Sequence, residues 1–213
     1  MLMLYFSPGT ACLAPHFLLE ELGAPYELVL VDTARQEHQQ VAYLKLNPNG
    51  KIPLLIADDL LLTESAAICF YLADRYDSKG LLPPFKSKER AQATKWMMYL
   101  TNTLQAELLS YFYPDRLTHT ADAQAQVKAK AEERVAQMLV FIDASLAQSG
   151  GDFLLGNQLS IADLFLFMLC RWTRHMQKPA RTYPQLGPFL ERMFARPSIV
   201  KAFEMEGIVA PYY

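Results

Sequence analysis

The chain has 213 residues, a net charge of −2, and 52% hydrophobic against 20% charged residues. This composition excludes a chain that is disordered throughout, and the near-neutral charge excludes a general nucleic-acid binder. No apolar run approaches the roughly 18 residues that cross a bilayer, and the N-terminus lacks signal-peptide features, so we expect no membrane segment. The three cysteines (Cys12, Cys69, Cys170) show no zinc-type spacing. We therefore expect no metal site and a reducing, cytoplasmic location.

The first 80 residues predict short strands and helices in alternation. An apolar run over 2–6 that ends at Ser7-Pro8-Gly9 is typical of a buried strand and a turn. Pro15 lies near the start of a predicted helix that ends at Gly23, and residues 26–31 predict a second strand. A short helix over 39–46, a hairpin of strands at 52–57 and 60–62, and a helix over 64–76 complete the order β-α-β-α-β-β-α.

The composition changes over 79–88, which we interpret as a linker between a domain at 1–78 and a second domain at 89–213. Helical periodicity in the second domain predicts helices over 89–111, 121–148, 160–175, 184–196 and 198–206. The fold class is therefore α/β plus all-α. Ser160 and Asp163 have the spacing of a capping box with Asp in place of Glu, which we interpret as a helix start without chemistry.

Three segments of the first domain could bind a ligand or carry chemistry. Ile52-Pro53 favours a trans bond on local evidence, whereas a cis bond would turn the Ile52 backbone outward toward an extended ligand. Glu64 begins a helix whose free N–H groups suit a ligand carboxylate. Glu64 would instead bind an ammonium, or it is only a favourable acid in the first turn. Cys12 precedes His16 by four residues, which places both on one face of a helix. They are either an activated Cys–His pair, or a small buried cysteine and a satisfied histidine without a chemical role.

Together, these segments resemble the cytosolic glutathione transferases, most closely the bacterial beta class. The resemblance covers nearly the whole chain, and its specificity lies in the order and spacing of its motifs. It rests on Tyr5-Phe6-Ser7-Pro8-Gly9, Ala14-Pro15-His16, Asn47-Pro48-Asn49-Gly50-Lys51-Ile52-Pro53, Thr63-Glu64-Ser65-Ala66-Ala67-Ile68 and the late Gly156-Asn157-Gln158-Leu159-Ser160-Ile161-Ala162-Asp163. The resemblance implies a thioredoxin-like N-terminal domain, an α-helical bundle as C-terminal domain, a homodimer and glutathione as co-substrate.

The resemblance also implies a glutathione site. The backbone of Ile52, with Pro53 in the cis form, would pair with the cysteinyl part of glutathione. Glu64 and Ser65 would hold the γ-glutamyl end. The glycyl carboxylate would form charge-assisted hydrogen bonds with two basic residues, Arg35 and Lys51.

The region that would carry the catalytic group departs from the beta-class pattern. That class usually places a cysteine at the position of Ala11, whereas here the thiol is one residue later, at Cys12. On a helix this shift is a rotation of about 100°. The Thr10 hydroxyl and the N–H groups of Ala11 and Cys12 are the candidates for stabilising a thiolate, and Tyr5 and Ser7 are weaker ones.

The electrophile would lie in a mostly apolar site near Thr10, Gln105, Leu108, Tyr111 and Trp172. Gln105 stands where the class often carries a histidine, and Met98 and Thr103 replace polar residues that often touch glutathione.

Three functions follow as hypotheses. The leading one is conjugation of reduced glutathione to a hydrophobic electrophile by stabilising the glutathione thiolate. The first alternative is a glutathione-dependent thiol–disulfide oxidoreductase that uses Cys12. The second is a partner-binding protein that keeps the fold and has lost turnover.

Overall fold

The computed structural model describes residues 1–76 and 79–213, and these residues divide into two compact units. Unit 1 comprises Met1–Leu82 and Phe194–Ala210, and unit 2 comprises Pro83–Met193 and Pro211–Tyr213. The predicted domain boundary at residue 78 lies outside the described residues.

The described part of unit 1 contains a mixed four-stranded sheet in the order β2-β1-β3-β4. The strands are β1 (Leu2–Phe6), β2 (Tyr26–Leu30), β3 (Leu54–Ala57) and β4 (Leu60–Thr63). β2 is parallel to β1, whereas β3 is antiparallel to both β1 and β4. Alternate residues of β1 are buried, because successive side chains of a strand point to opposite faces.

The helices of the first 76 residues are α1 (Leu13–Leu22), α2 (Val41–Leu44) and α3 (Ser65–Arg75). α1 packs against α3, and its C-cap is Gly23 at φ 65°, a left-handed conformation that glycine adopts without steric cost. The predicted order of strands and helices is confirmed, although α2 is shorter than expected and β3 begins two residues after Ile52. The N-terminal domain therefore has the thioredoxin-like arrangement that the sequence predicted.

Unit 2 is helical among the residues described. It contains α4 (Lys88–Tyr99), α5 (Ala106–Phe112), α6 (Ala121–Gln148), α7 (Ile161–Trp172) and most of α8 (Leu186–Phe194). The single helix predicted over 89–111 is interrupted by a π-helical segment, Leu100–Gln105, that joins α4 to α5. The Thr101 hydroxyl donates to the carbonyl oxygen of Met97 at 2.9 Å in this segment. Such π turns are rare and often lie at functional sites.

Helix α7 begins with the predicted capping box and is buried along almost its whole length. The Asp163 carboxylate accepts from the Ser160 N–H at 2.8 Å and from the Ser160 hydroxyl at 2.7 Å. Its other oxygen accepts from the Leu154 N–H at 2.8 Å. The structural interpretation of this motif is therefore confirmed, since all of its bonds lie within the helix start and the loop before it.

The C-terminal helix α9 (Pro197–Met205) packs on α1 and so belongs to unit 1. The rings of Phe17 and Phe203 meet edge to face with centroids 5.4 Å apart. Arg196 and Ser198 both donate to the Glu21 carboxylate. Sequence analysis placed this segment in the second domain, because it is separated from α1 by most of the chain; the domain boundaries remain a prediction.

The structure also describes the thiols and the longest helices. All three cysteines are free and buried. Over residues 1–76 and 79–213, no helix is both long and apolar enough to cross a membrane. The same residues contain no group of three or more His, Cys, Asp or Glu side chains that could hold a metal ion.

Candidate functional site

Strand register brings the predicted glutathione-site segments to one end of the sheet. Tyr5 of β1 pairs with Leu54 of β3, and Leu54 pairs with Thr63 of β4. The turn that follows β1, the start of β3 and the end of β4 are therefore neighbours. Because β2 runs parallel to β1, the loop after Leu30 leaves the sheet at the same end.

The turn over residues 7–12 connects β1 to α1. The Thr10 hydroxyl donates to the Ser7 carbonyl oxygen at 2.7 Å and lies 3.2 Å from the Cys12 sulfur. The Ser7 hydroxyl lies 3.1 Å from the Thr33 hydroxyl. Among the described residues, the Ala11 N–H has no hydrogen-bond acceptor, and Ala11 lies two residues before α1, on the side where the helix dipole favours an anion.

Cys12 lies just before α1 and is fully buried. Burial raises the pKa of its thiol to about 12, although a hydrogen bond from Thr10 lowers it in part. An oxidoreductase of the kind considered above needs an exposed, acidic thiol. The Cys12 thiol is instead buried and has a raised pKa, so it does not meet this requirement.

The Ile52-Pro53 bond is cis. The trans bond favoured by local evidence is therefore wrong, and the cis form implied by the resemblance is confirmed. The preceding carbonyl of Lys51 accepts from the Tyr43 hydroxyl at 2.7 Å and from the Asn47 side-chain amide at 2.6 Å. No hydrogen bond involves the Ile52 N–H or C=O within the ranges the structure describes, so both can pair with an extended ligand.

The start of α3 offers a second set of polar groups. Glu64 has φ 67°, a left-handed conformation that costs a non-glycine residue of order 1–3 kcal/mol and that clusters at ligand sites. Its side chain is exposed and makes no cap bond, whereas Ser65 is buried. The first N–H groups of α3 point out of the helix without helical acceptors, as at every helix start, and together with its dipole they suit a carboxylate.

Two cations lie on the segments that leave the sheet at this end. Arg35 follows β2, and its side chain is 81% exposed with Asp32 3.4 Å away. Lys51 precedes Ile52 and is exposed. Both can therefore reach a soluble anion without first breaking a buried ion pair.

Two family models match the chain: the N-terminal domain of glutathione S-transferases over residues 1–74 and their C-terminal domain over residues 104–205. A glutathione S-transferase of Escherichia coli O157:H7 is 30% identical over 207 residues, which cover 96% of this chain and 98% of that relative. The chain belongs to the glutathione S-transferase family.

Solved glutathione S-transferases share this fold. A homologue from Sulfitobacter, crystallised with bound glutathione, has a TM-score of 0.89 and 31% identity, over 98% of this chain and 99% of that one. A beta-class glutathione S-transferase from Sphingomonas chungbukensis has a TM-score of 0.85 and 32% identity, over 97% and 100% of the two chains. The predicted family is confirmed, and with it the transferase class and glutathione as the co-substrate of the family.

The residues predicted to contact the electrophile in this glutathione S-transferase lie in unit 2, apart from Thr10. Tyr111 meets Phe112 edge to face at 5.1 Å, and Phe112 meets Trp172 in the same way at 6.2 Å. Phe112 is 43% exposed, so this aromatic cluster reaches the surface of unit 2. Gln105 is half-buried at the end of the π-helical segment, and Leu108 is fully buried and contributes to the core of unit 2.

The weaker thiolate candidate Tyr5 lies in β1 of this glutathione S-transferase. It is half-buried, and its ring centroid is 6.1 Å from that of Tyr43. Both tyrosines line a cavity of about 320 Å³ together with Val31 and Glu37. This placement assigns Tyr5 to the packing between β1 and the α2 region.

Sequence analysis missed one polar group of this glutathione S-transferase site. Glu206, which follows α9, accepts from the Gly9 N–H at 2.9 Å and contacts His16 Nδ1 at 2.7 Å. His16 is thereby occupied by Glu206 and Tyr26, which does not fit an activated pair with Cys12. No local pattern points to Glu206, because its partners lie near the other end of the sequence.

Proposed function

We propose that the protein binds reduced glutathione at this end of the unit 1 sheet and conjugates it to a hydrophobic electrophile. The glutathione cysteinyl backbone pairs with Ile52, and its glycyl carboxylate meets Arg35 and Lys51. At its γ-glutamyl end, the carboxylate accepts from Ser65 at the start of α3, and the ammonium donates to the Glu64 carboxylate. Crystallised relatives with bound glutathione support the ligand. The free Ile52 backbone beside the cis Pro53 supports the extended pose.

The chemistry needs a group that favours the glutathione thiolate over the thiol. The observation that carries the proposal is the Ala11 N–H just before α1, which has no acceptor in the part of the chain that the structure describes. A sulfur placed there receives a hydrogen bond and the positive end of the helix dipole. The Cys12 N–H adds to this field, and the Thr10 hydroxyl joins once it turns away from Ser7. Each 1.4 kcal/mol of thiolate stabilisation lowers the thiol pKa by about one unit.

The electrophile occupies an apolar site that includes Gln105, Leu108, Tyr111 and Trp172. The partly exposed aromatic cluster around Phe112 supports this, because such surfaces are typical of small-molecule sites. We also propose a cytoplasmic homodimer. In unit 1 the apolar side chain of Leu61 is 49% exposed, and in unit 2 that of Phe85 is 78% exposed; each by itself supports a surface that a second copy covers.

Calorimetric titration with reduced glutathione at neutral pH tests the binding site. We expect a dissociation constant in the micromolar to low-millimolar range, weakened by Ser65→Ala. It should be unchanged by Ser110→Ala, which removes a partly exposed hydroxyl of α5 that donates to the Ala106 carbonyl oxygen at 3.3 Å. Turnover of an aryl halide with a pH–rate profile then tests the chemistry. Heat-silent titration together with capture of a protein partner would instead support the non-catalytic alternative. A glutathionyl adduct on Cys12 would support the redox alternative.

A further inference from the structure

A line of buried polar side chains lies beside the 7–12 turn of unit 1. The side chains of His16 and Glu206 are both 0% exposed. Glu206 Oε1 lies 2.7 Å from His16 Nδ1, and His16 Nε2 lies 2.9 Å from the Tyr26 hydroxyl. Tyr26 donates in turn to Glu20, whose carboxylate also pairs with Lys201 at 2.8 Å. The line therefore runs from the surface of α1 inward to Glu206.

Counting donors fixes where the protons lie. Burial and the neighbouring Glu20 carboxylate raise the pKa of Tyr26, so the phenol keeps its single proton. That proton forms the hydrogen bond that the Tyr26 hydroxyl donates to Glu20. Tyr26 must then accept from His16, which places a proton on His16 Nε2. The remaining proton lies between His16 Nδ1 and Glu206 Oε1, so the His16–Glu206 pair carries no net charge whichever atom holds it.

The second oxygen of Glu206 is directed to the turn. Glu206 Oε2 accepts from the Gly9 N–H at 2.9 Å, and Gly9 has φ 72°, so its amide direction depends on a backbone conformation that few residues adopt. Two residues after Gly9 comes Ala11, whose N–H has no acceptor within residues 1–76 and 79–213. A shift at Gly9 therefore moves the amide that the proposed chemistry uses.

We propose that Glu206 is a positioning residue for thiolate stabilisation: by holding the Gly9 N–H, it fixes the 7–12 turn and aims the Ala11 N–H at the sulfur of bound glutathione. This inference rests on the proposed function. Errors of about 1 Å in such placement cost as much as 100-fold in rate, so a residue that never touches the substrate can affect turnover strongly.

His16 has a separate task in this arrangement. A charged Glu206 carboxylate, taken by itself, raises the pKa of the Cys12 thiol, so its field would reach the start of α1. An uncompensated carboxylate there would disfavour a bound thiolate as well. The proton shared with His16 cancels that charge while leaving the Glu206 oxygen free to hold Gly9.

The test compares Glu206→Ala, Glu206→Gln and the control Glu204→Ala, which removes an exposed carboxylate from α9. In the Gln variant, the amide oxygen accepts from Gly9 and the amide nitrogen donates to His16, so every bond is kept. We expect kcat to fall by about 10- to 100-fold in Glu206→Ala, with the KM for glutathione within about threefold of wild type. We expect near-wild-type kcat in Glu206→Gln and in the control.

Two readouts separate positioning from stability alone. The ultraviolet absorbance of the bound thiolate, followed against pH, should show a higher thiol pKa in Glu206→Ala than in Glu206→Gln. Amide hydrogen exchange should accelerate in the 7–12 turn of the Ala variant. If Glu206→Ala does not fold, Glu206→Asp replaces it: its shorter side chain can reach Gly9 or His16 but not both, so kcat should again fall below that of Glu206→Gln.

The outcomes distinguish the two proposals. Wild-type protein that neither binds nor turns over glutathione overturns the proposed function, whatever the exchange rates show. Wild-type turnover with equal kcat, thiol pKa and turn exchange in Glu206→Ala and Glu204→Ala overturns the positioning role alone. A Glu206→Gln variant as slow as Glu206→Ala also overturns it, because the hydrogen bonds would then not be what matters.

Discussion

Replacing Asp163 by alanine should destabilise the protein more than any surface change. The carboxylate is fully buried and accepts from two backbone N–H groups, those of Leu154 and Ser160, each at 2.8 Å. Alanine leaves both donors unpaired, and both donor residues are buried, Leu154 at 6% and Ser160 at 0% exposure. A buried donor without an acceptor costs about 1–3 kcal/mol, so the free energy of unfolding should fall by about 4 kcal/mol.

Denaturant unfolding followed by circular dichroism measures this loss. Asp122→Ala is the matched control, because Asp122 also lies in the first turn of a long helix but is exposed. An exposed acid at a helix start contributes about 0.3–1 kcal/mol, so the control should lose no more than that. If Asp163→Ala loses less than about 1 kcal/mol more than Asp122→Ala, the two N–H bonds do not carry the stability assigned to them.

Three further predictions concern Asp163 again and two other groups with little solvent exposure. Burial raises the pKa of Asp163 from an ordinary 3.8 to about 6, so the folded state holds the proton more tightly and the free energy of unfolding should fall by about 2 kcal/mol between pH 4 and pH 7. Asp163→Asn should abolish that fall in pH-dependent denaturation curves, and an unchanged slope would assign it elsewhere. Cys12, with a pKa near 12, should react with a thiol reagent at pH 8 at least about 100-fold more slowly in native than in unfolded protein; equal rates would contradict its burial. Arg196→Ala should lower the free energy of unfolding by about 2 kcal/mol, because the Glu21 side chain is only 17% exposed and would lose the guanidinium that it contacts. Lys130→Ala, which removes one partner of an exposed ion pair, should change the free energy of unfolding by less than about 0.5 kcal/mol.

The sequence predicted those parts of the fold that depend on neighbouring residues. The capping box at Ser160 and Asp163, the helix end at Gly23 and the hairpin around Asp58 all rest on residues a few positions apart, and each appears where expected. The cis form of Pro53 came from the family resemblance, since the local preference of an X-Pro bond favours trans.

Features that depend on distant residues were not predicted. In the local sequence, nothing distinguishes Glu206 from other charged residues that follow a helix. Only folding brings Glu206 into contact with Gly9 and His16. The packing of α9 on α1 was missed for the same reason. The π-helical segment before Ala106 was also missed, because helical periodicity does not distinguish an α turn from a π turn at single-residue precision.

The membership of α9 in unit 1 has a consequence for synthesis on the ribosome. The chain starts unit 1, builds unit 2 and only then returns to complete the first, with Gly9 bound to a residue 197 positions later. The nascent β1–α3 segment therefore cannot complete its packing, and the apolar face of α1 stays uncovered, until α9 has left the exit tunnel. Contacts of such separation form slowly, and the waiting segment is exposed to chaperones and to aggregation. Ribosome stalling before Phe203 should leave a protease-sensitive first unit beside a folded second one.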